Sequence, residues 1–150
     1  LLYVPKFIPG TETVDLFGVH VRYAPVDILD QHLQRGIDSL VWAYRLNNRG
    51  SRTYGPLNKY LIHRTSGMPV DIFSTPAENW GVSLVVRTGP AEWNVEMMAR
   101  FKRKGMAGHA YGGVTLRDGT EATCPTEESV FALLGIPYVP PERRAEGLPR

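Results

Sequence analysis

Asp71 is a single carboxylate set in the apolar run P-V-D-I-F, just ahead of the helix-start pattern T-P-A-E. An ionised aspartate is seldom buried without a partner or a cation, so the run asks what stands opposite it. A metal ion is one answer. The other is strand alternation, which turns Val70 and Ile72 to one face and Asp71 and Phe73 to the other, leaving Asp71 on the solvent side of an edge strand. For the run taken alone, the second answer carries the greater weight. A second chemical feature is the basic cluster Arg100, Lys102, Arg103 and Lys104 at the end of a helical pattern. Cations there complement the negative helix terminus, and the same charges suit phosphate. Arg49, Arg52 and Lys59 form a weaker set of the same kind.

Other carboxylates and histidines have plainer readings. Asp15, in T-V-D-L-F-G, follows a loop and precedes glycine, which fits a turn or surface role. Asp27 and Asp30 read as a helix N-terminal charge and a solvated face. His32 lies on an apolar helical face and reads as a core histidine. The glycines at 105, 108, 112 and 113 do not make G-x-G-x-x-G after a strand, so no dinucleotide site is indicated.

These groups need elements to hold them. LLYVPKF reads as a short buried strand ended by Pro5 and by Pro9-Gly10. Val14 to Tyr23 reads as a hairpin around Gly18. V-D-I-L-D-Q-H-L-Q-R-G spaces Ile28, Leu29, His32 and Leu33 on one helical face and predicts a stop at Gly36. LVWAYRL is strand-like, and Tyr60 to His63 and Val70 to Phe73 make two strands around the turn T-S-G-M. T-P-A-E predicts Thr75 as a helix cap, Pro76 as the first helical residue and Glu78 as its capping-box partner, with the helix running toward Val86. A second helix spans about Ala91 to Lys104, with Trp93, Met97, Met98 and Phe101 on its apolar side. Short strands near Val114 and Thr115, an R-D-G-T turn and a helix from Thr126 to Leu134 complete the chain. The fold class is α+β.

At 150 residues and 43% hydrophobic, the chain can form one domain or two small lobes. A net charge of +2 with a pI near 8.8 is mildly basic, which fits a nucleic-acid partner without demanding one. Cys124 is the one cysteine, so a disulfide framework is excluded and a reducing, intracellular setting is expected. His20, His32, His63 and His109 have no metal-ligand spacing with it. No apolar stretch approaches the ~18 residues of a membrane span, and no secretion signal is visible.

Asp71 before a capped helix, then T-G-P-A-E-W-N, then T-E-E-S-V-F-A-L-L-G-I-P-Y-V-P-P-E-R-R together resemble the palm and thumb of family X DNA polymerases, the DNA polymerase beta-like nucleotidyltransferases, in a compact bacterial or phage form. The resemblance is strongest from about Pro69 to Arg144. It implies a palm over residues 1–88 lacking its N-terminal part and a thumb over 89–150. It implies two magnesium ions held by three carboxylates, of which Asp71 resembles the third and also helps activate the primer hydroxyl. Thr88 and Gly89 resemble the nucleotide-binding turn between palm and thumb, where a cis peptide before Pro90 is expected. Asn94 resembles the asparagine at the minor-groove edge of the incoming nucleotide, and Arg100, Lys102, Arg103 and Lys104 the face that approaches duplex DNA. The implied partners are primer-template DNA and a nucleoside triphosphate, the implied setting DNA repair inside a cell, and the expected state a monomer.

Several positions depart from that pattern. Val86 and Arg87 stand where vertebrate members carry an aromatic pair, and Met98 stands where an arginine often faces the template. The family's first two metal ligands are an alternating aspartate pair, and it is absent here. LLYVPKF resembles the end of the strand that carries that pair, so the pair is expected immediately upstream of Leu1. Two alternatives remain: a non-catalytic DNA-binding relative, and a minimal nucleotidyltransferase acting on a protein or small molecule.

Overall fold

Lys59, Leu61, Val70 and Ile72 alternate with Tyr60, Ile62, Asp71 and Phe73, and this period of two builds the principal sheet. The computed structural model describes residues 1–3, 6–8, 13–16, 19–22, 26–109 and 113–149. They divide into two compact units, one of Leu1 and Tyr3–Phe73, the other of Leu2 and Ser74 onward.

In the first unit, short strands β1 (Leu2–Tyr3) and β2 (Phe7–Ile8) precede the antiparallel pair β3 (Thr13–Leu16) and β4 (Val19–Arg22). The hairpin expected around Gly18 thus has its two strands, while residues 17, 18 and 23 lie outside the described residues. Asp15 sits in β3 opposite His20. Strand β5 (Val26–Asp27) pairs with β2 and leads into helix α1 (Ile28–Asp38). Asp27 caps that helix by accepting from Leu29 N at 3.1 Å. The helix does not stop at Gly36; it continues to a cap at Ser39. The glycine is required for packing instead, because a Cβ at Gly36 would fall 2.3 Å from Trp42 Cδ1. His32 is exposed, which corrects its reading as a core residue.

Strands β6 (Trp42–Tyr44), β7 (Asn58–His63) and β8 (Pro69–Ser74) complete a four-stranded sheet of order β1-β8-β7-β6. Leu33, Leu61 and Ile72 form its buried core, with Leu29, Ile37, Trp42, Tyr44, Tyr54 and Val70 packed around them. Strand β8 lies between β1 and β7, so Asp71 is on an interior strand, not an edge.

The second unit opens with a 3-10 turn over Ala77–Asn79 and then helix α2 (Trp80–Thr88). The capping box expected at Thr75 does not form. Pro76 takes the cap position without a side-chain hydrogen bond, and the buried Thr75 hydroxyl accepts from Ser83 Oγ at 2.8 Å. Helix α3 (Ala91–Arg103) matches the sequence reading to within a residue. Strands β9 (Ala107–His109), β10 (Gly113–Thr115) and β11 (Glu121–Ala122) make a small antiparallel sheet of order β11-β10-β9. Helix α4 (Glu127–Leu134) starts with a capping box between Thr126 and Ser129 and ends at Gly135 in the left-handed conformation. Val82, Val85, Trp93, Met97, Phe101, Val114, Val130, Phe131 and Leu134 form the core of this unit. Mixed helices and small antiparallel sheets make the α+β class expected from the sequence.

Candidate active site and nucleic-acid interface

Arg45, Tyr60 and Asp71 stand side by side on one face of the first unit's sheet. Their placement follows from register: Tyr60 lies opposite Asp71, and Arg45 continues β6 by donating its backbone N–H to Tyr60 O at 3.0 Å. Asp71 and Phe73 share the face that the alternation predicted, turned away from buried Ile72. The partner the sequence left open is a guanidinium. Arg45 Nη2 donates to Asp71 Oδ1, and the Arg45 head lies 4.8 Å from the centre of the Tyr60 ring. Arg45 Nε is shielded from solvent and has no hydrogen-bond acceptor among the described residues.

These groups line an open cleft of about 420 Å³ together with Asn47, Asn48 and Arg49. Asn47 shapes the loop, its Oδ1 accepting from the backbone of Arg49 at 2.9 Å and Ser51 at 3.1 Å. Beside Asp71, Leu1 N donates to Asp71 O at 2.6 Å and Phe73 N to Leu1 O at 2.9 Å. One residue bonding to two residues spaced two apart is the parallel ladder pattern, so Leu1 lies in parallel register alongside β8.

Lys59 does not reach phosphate. It is fully buried beneath the same sheet, donates to Gly55 O at 2.9 Å, and lies 3.3 Å from Asp30 and 3.9 Å from Asp27. Asp30 is therefore an ion-pair partner as well as a helix-face residue. Burial, then the charge of Asp30, pushes the Tyr54 hydroxyl well above its ordinary range. Arg52 stacks 3.4 Å from the Tyr44 ring centre, while Arg49 is exposed on the cleft loop.

In the second unit, the turn from α2 into α3 is built on close packing. A Cβ at Gly89 would lie 2.3 Å from Trp93 Cδ1, and Thr88 Oγ1 donates to Leu84 O at 2.6 Å. The Gly89–Pro90 peptide is trans, contrary to expectation. Extended backbone at Gly89 (φ −112°, ψ 163°) and Pro90 (φ −61°, ψ 164°) redirects the chain without the isomer that costs about 0.5–1 kcal/mol more. Asn94 Nδ2 donates to Val86 O at 2.6 Å, and its Oδ1 is buried with no hydrogen-bond partner among the described residues.

The basic end of α3 is unevenly available. Arg100 is mostly covered, bonding Glu96 Oε1 at 3.2 Å and also the Pro149 carbonyl. Arg103 reaches the same Glu96 at 2.6 Å but stays exposed, as do Lys102 and Lys104. Hydrogen bonds from Arg103 and then Arg100 hold the Glu96 carboxyl below its ordinary range. Arg100, Arg103 and Lys104 border an open cleft with Leu134, Gly135 and Ile136.

Sequence reasoning missed Arg45 and Arg144. Arg144 is fully buried: Nε donates to Val139 O at 3.1 Å, Nη1 donates to Thr88 Oγ1, and Nη2 stands 2.8 Å from Glu127 Oε1. Its head lies 5.6 Å from the Trp93 ring centre. No periodicity in P-P-E-R-R marks which arginine turns inward. Arg45 was legible in principle, since continuing the alternation of W-A-Y-R across to Tyr60 and Asp71 puts all three on one face.

Residues 83–145 match the family described as DNA polymerase beta thumb. The chain is 35% identical over 85 residues to DNA polymerase lambda of Rattus norvegicus, covering 50% of this chain and 15% of that protein. It is 32% identical over 78 residues to DNA polymerase/3'-5' exonuclease PolX of Bacillus subtilis (strain 168), covering 52% of this chain and 14% of that one. Leishmania infantum polymerase beta in a ternary P/T complex shares the fold with TM-score 0.60 at 21% identity, over 77% of this chain and 52% of that one. The ternary gap complex gives 0.61 at 20% identity, over 77% and 49%. Residues 83–145 are thus similar to the DNA polymerase beta thumb, and about half of the chain is similar in sequence to family X DNA polymerases. It spans about half the length of the solved relatives and a far smaller share of the curated ones.

Proposed function

We propose that the protein carrying this chain adds nucleoside monophosphates to the 3'-hydroxyl of a DNA primer, with residues 1–88 serving as palm and 89–150 as thumb. The observation that carries this reading is the thumb match at 83–145, which follows shortly after β8, the strand that holds Asp71. Asp71 is proposed as a carboxylate ligand of magnesium. The residues present fit one ligand position: the carboxylate is half-exposed on an open cleft, and magnesium is commonly held by one or two carboxylates with water and substrate phosphates completing the shell. Among the described residues no group of three or more His, Cys, Asp or Glu side chains could hold a metal ion. A bound magnesium pair would neutralise and align the transferring phosphoryl group.

Thr88 and Gly89 would place the backbone of the palm–thumb turn against the nucleotide, and Asn94 would meet its base edge. Lys102, Arg103 and Lys104 would meet duplex phosphates, with Arg100 tied to Glu96 and Pro149 behind them. A monomer acting inside a cell, in DNA repair, completes the proposal. No helix among the described residues is long and apolar enough to cross a membrane. The engagement of Asp71 by Arg45 favours one second reading, a DNA-binding relative without catalysis.

Binding of labelled primer-template across a salt series tests the interface. Neutralising Lys102, Arg103 and Lys104 together should weaken binding at every sequence alike and flatten the salt dependence by roughly 0.9 in slope per lost phosphate contact. Binding indifferent to the three charges would refute it.

A further inference from the structure

One face of the first unit's sheet stays open. Tyr60, Ile62, Asp71 and Phe73 each keep part of their surface accessible, whereas Lys59, Leu61 and Ile72 on the opposite face are buried. In the middle of the open face the Arg45 guanidinium lies 4.8 Å from the centre of the Tyr60 ring and is fixed there by its ion pair with Asp71. The adjoining loop is fixed as well: besides accepting from the backbone of Arg49 and Ser51, Asn47 donates from Nδ2 to Thr53 Oγ1 at 3.0 Å. That loop presents exposed Asn48 and Arg49 to the cleft. Asp71 already answers Arg45, so a lining with two arginines and one carboxylate carries one positive charge to spare, at Arg49.

We propose that this cleft seats one unpaired nucleotide of a nucleic-acid single strand, with the base stacked on the Arg45 guanidinium, the phosphate at Arg49 and the Asn48 amide left to the base edge. Bases splayed from a single strand stack on aromatic rings and on guanidinium planes alike, and such contacts tolerate any sequence because every base has a π-face. Inside a duplex both faces of a base are covered by its neighbours, so a shelf of this kind serves only an unpaired one. Size agrees: the cleft of about 420 Å³ falls within the roughly 300–1,000 Å³ of small-ligand sites and admits one nucleotide, not a double helix. Charge agrees too, since the spare cation at Arg49 is complementary to a single phosphate. Arginine is required at position 45 because lysine would keep the charge beside Asp71 without offering a plane. The inference takes its nucleic-acid partner from the proposed function, yet it needs no bound cation and no catalysis.

Fluorescence anisotropy tests it, with the chain titrated in EDTA against a labelled oligothymidylate, a fully abasic strand of equal length and a blunt duplex. Wild type should bind the oligothymidylate at least about fivefold more tightly than the abasic strand, the lower end of what one stacked base contributes. Arg45→Lys should erase that preference while binding the duplex as wild type does. Arg49→Gln should lower the salt slope for the single strand by roughly 0.7, the share of one phosphate. Both positions are accessible to solvent, and circular dichroism checks that each variant folds. A preference for bases that survives Arg45→Lys overturns the shelf, and so does a loss on the duplex equal to the loss on the single strand. A salt slope unchanged in Arg49→Gln overturns the phosphate contact and the proposal with it. If these failures occur while neutralising Lys102, Arg103 and Lys104 still weakens duplex binding, the shelf falls and the proposed function stands without it.

Discussion

Replacing Arg144 with methionine should remove more stability than any single change on the surface of the second unit. The wild-type guanidinium is wholly buried, donates to Val139 O and Thr88 Oγ1, and stands in an ion pair 2.8 Å from the Glu127 carboxylate. Methionine fills much of the volume near Trp93 and Phe131, so the lost packing is small. What remains is the Glu127 carboxylate, 11% exposed, with the Tyr138 hydroxyl at 3.0 Å and the Thr88 hydroxyl at 3.4 Å as donors. Breaking a buried pair from one side typically costs about 3–5 kcal/mol, and the Tyr138 bond places this case near the lower end, at about 3 kcal/mol. That is a large part of the ~5–15 kcal/mol that holds a domain together. In equilibrium urea unfolding, with a slope of about 1–3 kcal/mol/M, the midpoint should fall by on the order of 1–3 M. The double variant Arg144→Met/Glu127→Gln should recover at least half of the loss, since the stranded charge is gone. A single-variant loss below about 1 kcal/mol, or a double variant no more stable than the single, would refute the claim that this charge pair is what the buried arginine is there to complete.

Two further outcomes follow from the second unit. Gly81→Ala places a Cβ 2.0 Å from Thr126 O and 2.9 Å from Cys124 O, both backbone atoms that cannot give way; a cost of about 2–3 kcal/mol should lower the melting temperature by roughly 10–20 °C, and an unchanged melting curve would contradict the packing. Glu96→Gln should release Arg103 and Arg100 from their shared carboxylate and tighten duplex binding, with a steeper salt dependence, and weaker binding would contradict the placement of those charges. The same carboxylate predicts a pH effect. Because its folded pKa lies below the ordinary 4.5, its contribution is intact above that value and is lost as pH falls through the folded one, an acid-side loss that Glu96→Gln should abolish.

Where a residue's role was set by its near neighbours in sequence, it could be read without coordinates. Alternation through P-V-D-I-F put Asp71 and Phe73 on one face, and the apolar spacing of Trp93, Met97 and Phe101 put α3 against its core. The helix read over Thr126 to Leu134 was recovered within a residue, and its Thr126 cap is held by local hydrogen bonds. What failed depended on partners distant in the chain. Thr75 has the residue pattern of a cap, yet Ser83 takes its hydroxyl. Gly36 looked like a stop signal, but it is a contact surface for Trp42. Lys59 read as one more surface cation until the loop at Gly55 and the start of α1 closed over it. Arg45 and Arg144 escaped for the same reason, since neither their carboxylates nor their burial is written in adjacent residues.

The central claim is that Asp71 serves phosphoryl transfer. Primer extension by the full-length protein, measured as kcat/KM for nucleotide with magnesium and compared between wild type and Asp71→Asn, tests it most directly. Changing an outer partner of a metal ligand typically costs 10–100-fold, so changing the ligand itself should lower kcat/KM by more than about 100-fold while the unfolding midpoint stays near wild type. Extension by Asp71→Asn at near wild-type rates would contradict the assignment.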